Sequence, residues 1–128
     1  MFTVSEMHGQ RILLVHADGP SLGDIQDVLD LIGESIAESA RMIAVPASLL
    51  DPEFFRLRSG FAGEVLQKIA NYRLRLAVLG DISEWIERST AFRDLVREMD
   101  RGTDVFFVAD LDALSERLAA AVASMGEM

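Results

Sequence analysis

The chain has 128 residues, half of them hydrophobic, a formal net charge of −9 and no cysteine. The length suits one domain, and the missing cysteines exclude disulfides, thiolate nucleophiles and cysteine metal sites. The acidic balance opposes nonspecific contact with nucleic acid or an anionic membrane, and no stretch approaches the roughly 20 uninterrupted apolar residues of a membrane span, so neither is expected as a partner.

The first ten residues, MFTVSEMHGQ, carry no basic region followed by an apolar run. A secretory signal is therefore not expected, and a cytoplasmic location is. Phe2–Met7 (FTVSEM) reads as a short strand, His8-Gly9 as a turn and Arg11–His16 (RILLVH) as a stronger strand. Two strands this close suggest a hairpin. After the loop ADGP, Ser21 is a good helix N-cap, with Asp24 three residues on to help the first turn. Leu22, Ile25, Val28, Leu29, Ile32 and Ile36 then recur at helical spacing. Asp27, Asp30, Glu34 and Glu38 form an acidic stripe, the solvated face of that helix.

Met42–Val45 (MIAV), ended by Pro46, reads as a buried strand, and Asp51-Pro52 begins a turn. A second helix is predicted from about Ser59 to Tyr72. Leu74–Leu79 (LRLAVL) is the next strand, closed by Gly80-Asp81. Ser83 is expected to cap a third helix whose apolar face is Trp85 or Ile86, Phe92, Leu95, Val96 and Met99, with Arg101-Gly102 at its end. Val105–Val108 (VFFV) is the last strand. A final helix begins near Asp110 and carries Leu111, Leu114, Leu118, Val122 and Met125. The order is β-β-α-β-α-β-α-β-α. It predicts an α/β domain over residues 1–128: one mixed, mostly parallel five-stranded sheet, covered by about four helices, with the first strand antiparallel at the edge.

The stretch Phe54–Lys68, FFRLRSGFAGEVLQK, supports two readings. In the first, Ser59 satisfies orphan backbone N–H groups of a well-packed helix whose stripe is Phe61, Val65, Leu66 and Ile69. In the second, the same helix start takes an anion. Gly60 lets the anion approach the backbone, and Arg58 or Arg56 adds a charged fork. The anion is then a ligand's phosphate or carboxylate, or a phosphate on Ser59 itself. Phe54-Phe55 is expected to plug the sheet end rather than to form a partner patch.

Asp51, Asp81 and Asp110 each follow a predicted parallel strand, where ligands of open α/β sheets collect. Three carboxylates there could hold magnesium. Turn and cap chemistry is the alternative and is favoured. His8 and His16 lack metal-spaced partners. There is no Gly-x-Ser-x-Gly, no Walker motif and no Gly-x-Gly-x-x-Gly. Arg93, Arg97 and Arg101 share one face of the third helix; helix ion pairs with Glu84, Asp94 and Glu98 are worth about 0.3–0.5 kcal/mol each.

The element order resembles the STAS domain, the sulfate-transporter and anti-sigma-factor-antagonist fold, in which a serine often followed by glycine opens the second helix. Ser59-Gly60 stands at that place, with Arg58 where that family usually has an aspartate. FFRLRSGFAGEVLQK, NYRLRLAVLGDIS (Asn71–Ser83) and VREMDRGTDVFFVADLD (Val96–Asp112) resemble the bacterial domain of unknown function family number 4180. Members commonly have asparagine where this chain has Asp100. The resemblance implies membership and carries no chemistry. The expected function is a small STAS-like regulatory or ligand- and partner-binding module, more a binding protein than an enzyme. It needs no cofactor or metal, and it takes a protein partner or small anionic ligand. Its Phe2–Met7 edge, with one acid and no lysine, suggests a homodimer. The alternative is a small enzyme using Asp51, Asp81 or Asp110 as acid, base or metal ligand.

Overall fold

The structure, a computed structural model, describes residues 1–126. Strands β1 (Phe2–Met7) and β2 (Gln10–Val15) form the hairpin; His8 and Gly9 turn it with φ of 51° and 81°. Helix α1 (Ile25–Ala37) leads to β3 (Met42–Pro46). A 3-10 turn (Ala47–Leu49), helix α2 (Pro52–Phe55) and a second 3-10 turn (Leu57–Ser59) then precede α3 (Phe61–Asn71). Strand β4 (Arg75–Leu79), helices α4 (Ser83–Arg88) and α5 (Thr90–Asp100), β5 (Val105–Val108) and α6 (Leu111–Gly126) complete the chain. The sheet runs β1-β2-β3-β4-β5, antiparallel at the β1 edge and parallel elsewhere, as the element order predicts. No helix among the described residues is long and apolar enough to cross a membrane.

Period-two alternation splits the strands between two cores. Leu13, Ile43, Val45, Leu76, Val78 and Val105 face the larger one, against Val28 and Ile32 of α1, Ala62, Val65 and Ile69 of α3, and Phe92 and Val96 of α5. Ile12, Met42, Ala44, Ala77, Phe106 and Val108 face the smaller one, against Leu114 and Leu118 of α6. Each parallel step of the sheet advances one place in the same direction, and α1, α3 and α5 share one face. The strand order never reverses, so the sheet has no switch-point crevice of the doubly wound kind. On the opposite face Leu14, Ala44, Ala77 and Phe106 stand in one lateral row. The two alanines at its centre leave room for α6. Val122 and Met125, expected on the stripe of α6, lie outside the residues whose side chains are described.

Local chemistry moves three helix starts. Ser21 does not cap α1. Leu22 is drawn into the core as extended chain, pairing with Leu50, its N–H donating to Leu49 O at 2.7 Å. The helix starts three residues later in a capping box: Asp24 accepts from the Asp27 N–H, and the Asp27 carboxylate accepts from the Asp24 N–H. The turn expected at Asp51-Pro52 is a helical turn, α2, with Asp51 as cap and Pro52 in the first helical position. The third helix is broken in two at Ser89, which is extended (φ −140°, ψ 113°) and whose hydroxyl accepts from the Phe92 N–H. The described residues therefore contain six α-helices rather than about four. Ser83 is not a cap; it is the first residue of α4, behind Ile82. The strand expected to reach His16 ends at Val15, and His16 Nε2 lies 2.6 Å from Thr3 Oγ1.

Candidate functional site

The segment between β3 and α3 is anchored by aromatic side chains. Phe54 and Phe55 are buried, as the plug reading requires. Phe54 meets Phe55 and Phe61 edge-on, at 5.3 and 6.3 Å between ring centroids. Phe55 stacks flat on Trp85 of α4 (4.9 Å, interplanar angle 5°) and meets Phe92 of α5 edge-on at 5.4 Å. Phe92 in turn meets Phe107 of β5 at 5.8 Å. The guanidinium of Arg88 lies over the Trp85 ring, 5.6 Å from its centroid. Rings thus run from the sheet to the surface, and α2 and α4 are held side by side.

Between these two elements opens a groove of about 880 Å³ lined by Glu53, Phe55, Arg56, Leu57, Arg58, Ser59, Trp85, Arg88, Ser89, Thr90 and Ala91. Three arginines and one glutamate give its walls a net positive charge within a chain of net charge −9. Arg56 pairs with Glu53 at 2.8 Å, and Arg88 with Glu84 one helical turn back. Arg58 has no carboxylate within ion-pair distance among the described residues. Of the anion-site residues read from sequence, Ser59, Arg58 and Arg56 line the groove together. Gly60 does not.

Ser59 is not the N-cap expected of α3: it ends the 3-10 turn Leu57–Ser59, and Gly60, which has no side chain to cap with, stands in that position. The Ser59 hydroxyl donates to Glu53 O at 2.6 Å and accepts from the Phe61 N–H at 3.1 Å, so it ties the end of α2 to the start of α3. Gly60, the residue before α3, has φ 79°. No heavy atom lies within 4 Å of where its Cβ would stand. A side chain there would meet open space but a disfavoured backbone. Gly60→Ala is expected to cost about 1–2 kcal/mol, seen as a lowered urea midpoint, without altering the groove's side chains.

The three strand-end aspartates stand apart, each engaged with a helix start. Asp51 accepts from the Glu53 N–H at 2.9 Å, and Asp110 from the Ala113 N–H at 2.9 Å. Asp81 accepts from both the hydroxyl and the N–H of Ser83, at 2.6 and 2.9 Å. Those two bonds, the hydroxyl's first, hold the Asp81 carboxyl below its ordinary range. Among the described residues no three histidine, aspartate or glutamate side chains converge as a metal site would require. Gly80, just before Asp81, has φ 138°, and a Cβ there would meet Ala47 Cβ at 3.2 Å; glycine lets β4 end close against the 3-10 turn after β3.

The sequence did not point to Trp85, Arg88, Ser89 or Thr90 as neighbours of the RLRSG stretch. A serine–threonine pair directly before the apolar Ala91-Phe92 is a helix-start signal, and it would have revealed the break. The meeting of Arg88 with Arg58 depends on β3 and β4 lying side by side, which no local pattern encodes. Arg93 and Arg97 are exposed on α5, and Arg101 is exposed just past its end. Among the described residues none of the three pairs with Asp94 or Glu98 as expected, and Glu84 pairs with Arg88 within α4.

No curated protein and no solved structure matches this chain. The family model described as domain of unknown function (DUF4180) matches residues 7–118, nearly the whole domain. The chain belongs to that family.

Proposed function

We propose that this protein is a small STAS-like binding module of a regulatory kind, and that its anion site lies where the 3-10 turn Leu57–Ser59 faces α4. The observation that carries this reading is Arg58. It lines the groove with Ser59 and two further arginines, and no described carboxylate neutralises it. A guanidinium with its donors unspent is a ready partner for phosphate or carboxylate, which it binds as a fork. The hydroxyls of Ser89 and Thr90 add donors on the α4–α5 wall; the Ser59 proton is already given to Glu53 O. The domain's acidity supports an anion site of local rather than global origin, one that screens out nucleic acid by charge.

The experiment is a calorimetric titration of inorganic phosphate into the wild type and Arg58→Ala. Measurable binding by the wild type, weakened about tenfold or more by the substitution, is the expected result. Equal binding by both proteins, or none by either, would leave Ser59 as a structural tie between α2 and α3.

A further inference from the structure

The groove also constrains the shape of its ligand. Trp85 is the only tryptophan in the chain and the one large ring on the groove wall besides Phe55. One of its faces is covered by Phe55 in parallel stacking, and Arg88 lies over the ring as well. Phe55 is itself buried. A nucleobase, whose usual anchor in a sequence-tolerant site is an aromatic face, would compete with Phe55 and Arg88 for the Trp85 ring. A small-molecule pocket encloses most of its ligand. Here Glu53, Arg56, Arg58, Ser59, Arg88, Thr90 and Ala91 are all exposed, so solvent reaches both walls. The positive groups are also spread across the groove. Arg56 and Arg58 belong to the wall before α3, and Arg88 belongs to α4.

We infer that the groove receives an acidic polypeptide segment whose carboxylates bridge Arg58 on one wall and Arg88 on the other. This rests on the anion site proposed above and adds the second wall and the class of partner. Charge complementarity selects the occupant: three guanidiniums against one lining carboxylate, with hydroxyls able to bond a peptide backbone and the apolar Leu57 and Ala91 between them. Arg88 is held against Trp85 and Glu84 until it is engaged. That pairing is exposed on both sides, so exchanging Glu84 for a ligand carboxylate costs little. Because Arg88 lies over Trp85, its movement changes the surroundings of the single indole.

The test is a titration of an octaglutamate peptide followed by Trp85 fluorescence, at low and at physiological salt. Wild type, Arg58→Ala and Arg88→Ala are compared, with far-UV circular dichroism to show that each variant is folded. Saturable binding that weakens with salt, with each substitution lowering affinity about tenfold, is the expected result. Octaglutamate binding that Arg88→Ala leaves unchanged would overturn the two-walled groove. If phosphate still bound through Arg58 in that case, the single anion site would survive its extension. Failure of octaglutamate to bind while phosphate binds would overturn the peptide ligand alone, and failure of both would overturn both readings. Adenosine monophosphate is the remaining probe. Binding it more tightly than inorganic phosphate would show a base-accepting site and overturn the inference.

Discussion

Phe92→Ala is expected to cost about 3–5 kcal/mol of unfolding free energy, the usual range for removing a buried aromatic ring. Phe92 is wholly buried in the larger core, where it touches Phe55 of α2 and Phe107 of β5 edge-on. Its backbone N–H is also the one that the Ser89 hydroxyl caps, so the residue is fixed at both ends. The neighbours cannot simply close the gap. Phe55 is held flat against Trp85, and Phe107 is fixed by the β4–β5 ladder. A cavity therefore remains, and the cost falls toward the upper part of the range. Typical domains have about 5–15 kcal/mol in total, so the variant should be marginal at 37 °C. Urea unfolding followed by circular dichroism would show a large fall in midpoint with unchanged slope. A loss below about 1 kcal/mol would mean that α5 shifts to fill the space, contrary to the packing described.

The same substitution reaches the groove. Phe92 supports Phe55, which supports Trp85, which carries Arg88. Loosening the innermost of these should broaden the surroundings of Trp85 and shift its emission even where the protein is still folded. The candidate site is thus built on core packing rather than on a free loop. This gives its arginines a defined spacing before any ligand arrives.

How much of this was legible depended on whether the signal was local. Strands β2 to β5 are short apolar runs bounded by Pro46, Gly80 and Gly102, and such runs mark themselves. The Phe61, Val65, Leu66 and Ile69 stripe likewise has helical spacing and no alternative. Ser21 reads as the cap of α1 because Leu22 has the right phase for the helix stripe. Tertiary pairing with Leu50 took it into extended chain instead, and Asp24 provided an equally good cap further on. Helix α2 is four residues long, too short for periodicity to register, although Asp51-Pro52 is itself a cap followed by a favoured first residue. The break at Ser89 was hidden because Trp85, Ile86, Phe92, Val96 and Met99 keep a plausible helical phase across it. Half of the groove was visible in RLRSG. The other half is carried on α4 and the start of α5, and it faces Arg58 because β4 pairs with β3.

Leu114→Ala should have a different outcome, a loss of about 2–5 kcal/mol concentrated in one helix. The face of the sheet opposite α1, α3 and α5 has a single helix over it among the described residues, and Leu114 and Leu118 are its buried anchors there. Leu114 shares this core with the small side chains of Ala44 and Ala77, which cannot expand to occupy the space left by its own. Among the described residues α6 is then held by Leu118, the His8 Nε2–Ser115 Oγ hydrogen bond at 3.0 Å, the Arg117–Asp100 pair at 3.4 Å and the Arg117 guanidinium 5.1 Å from the Phe106 ring. The pair is partly exposed and contributes at most about 1 kcal/mol. The larger core shares no buried residue with this one, so its helices keep their packing when α6 is weakened. Hydrogen exchange should therefore show amides of α6 opening well before those of β3 and β4, with exchange in α3 and α5 near that of the wild type. Uniform acceleration across the sheet and all helices would instead mean that the two cores melt as one unit. Because the groove is built on the opposite core, Arg58-dependent binding should survive Leu114→Ala at temperatures where the sheet remains folded.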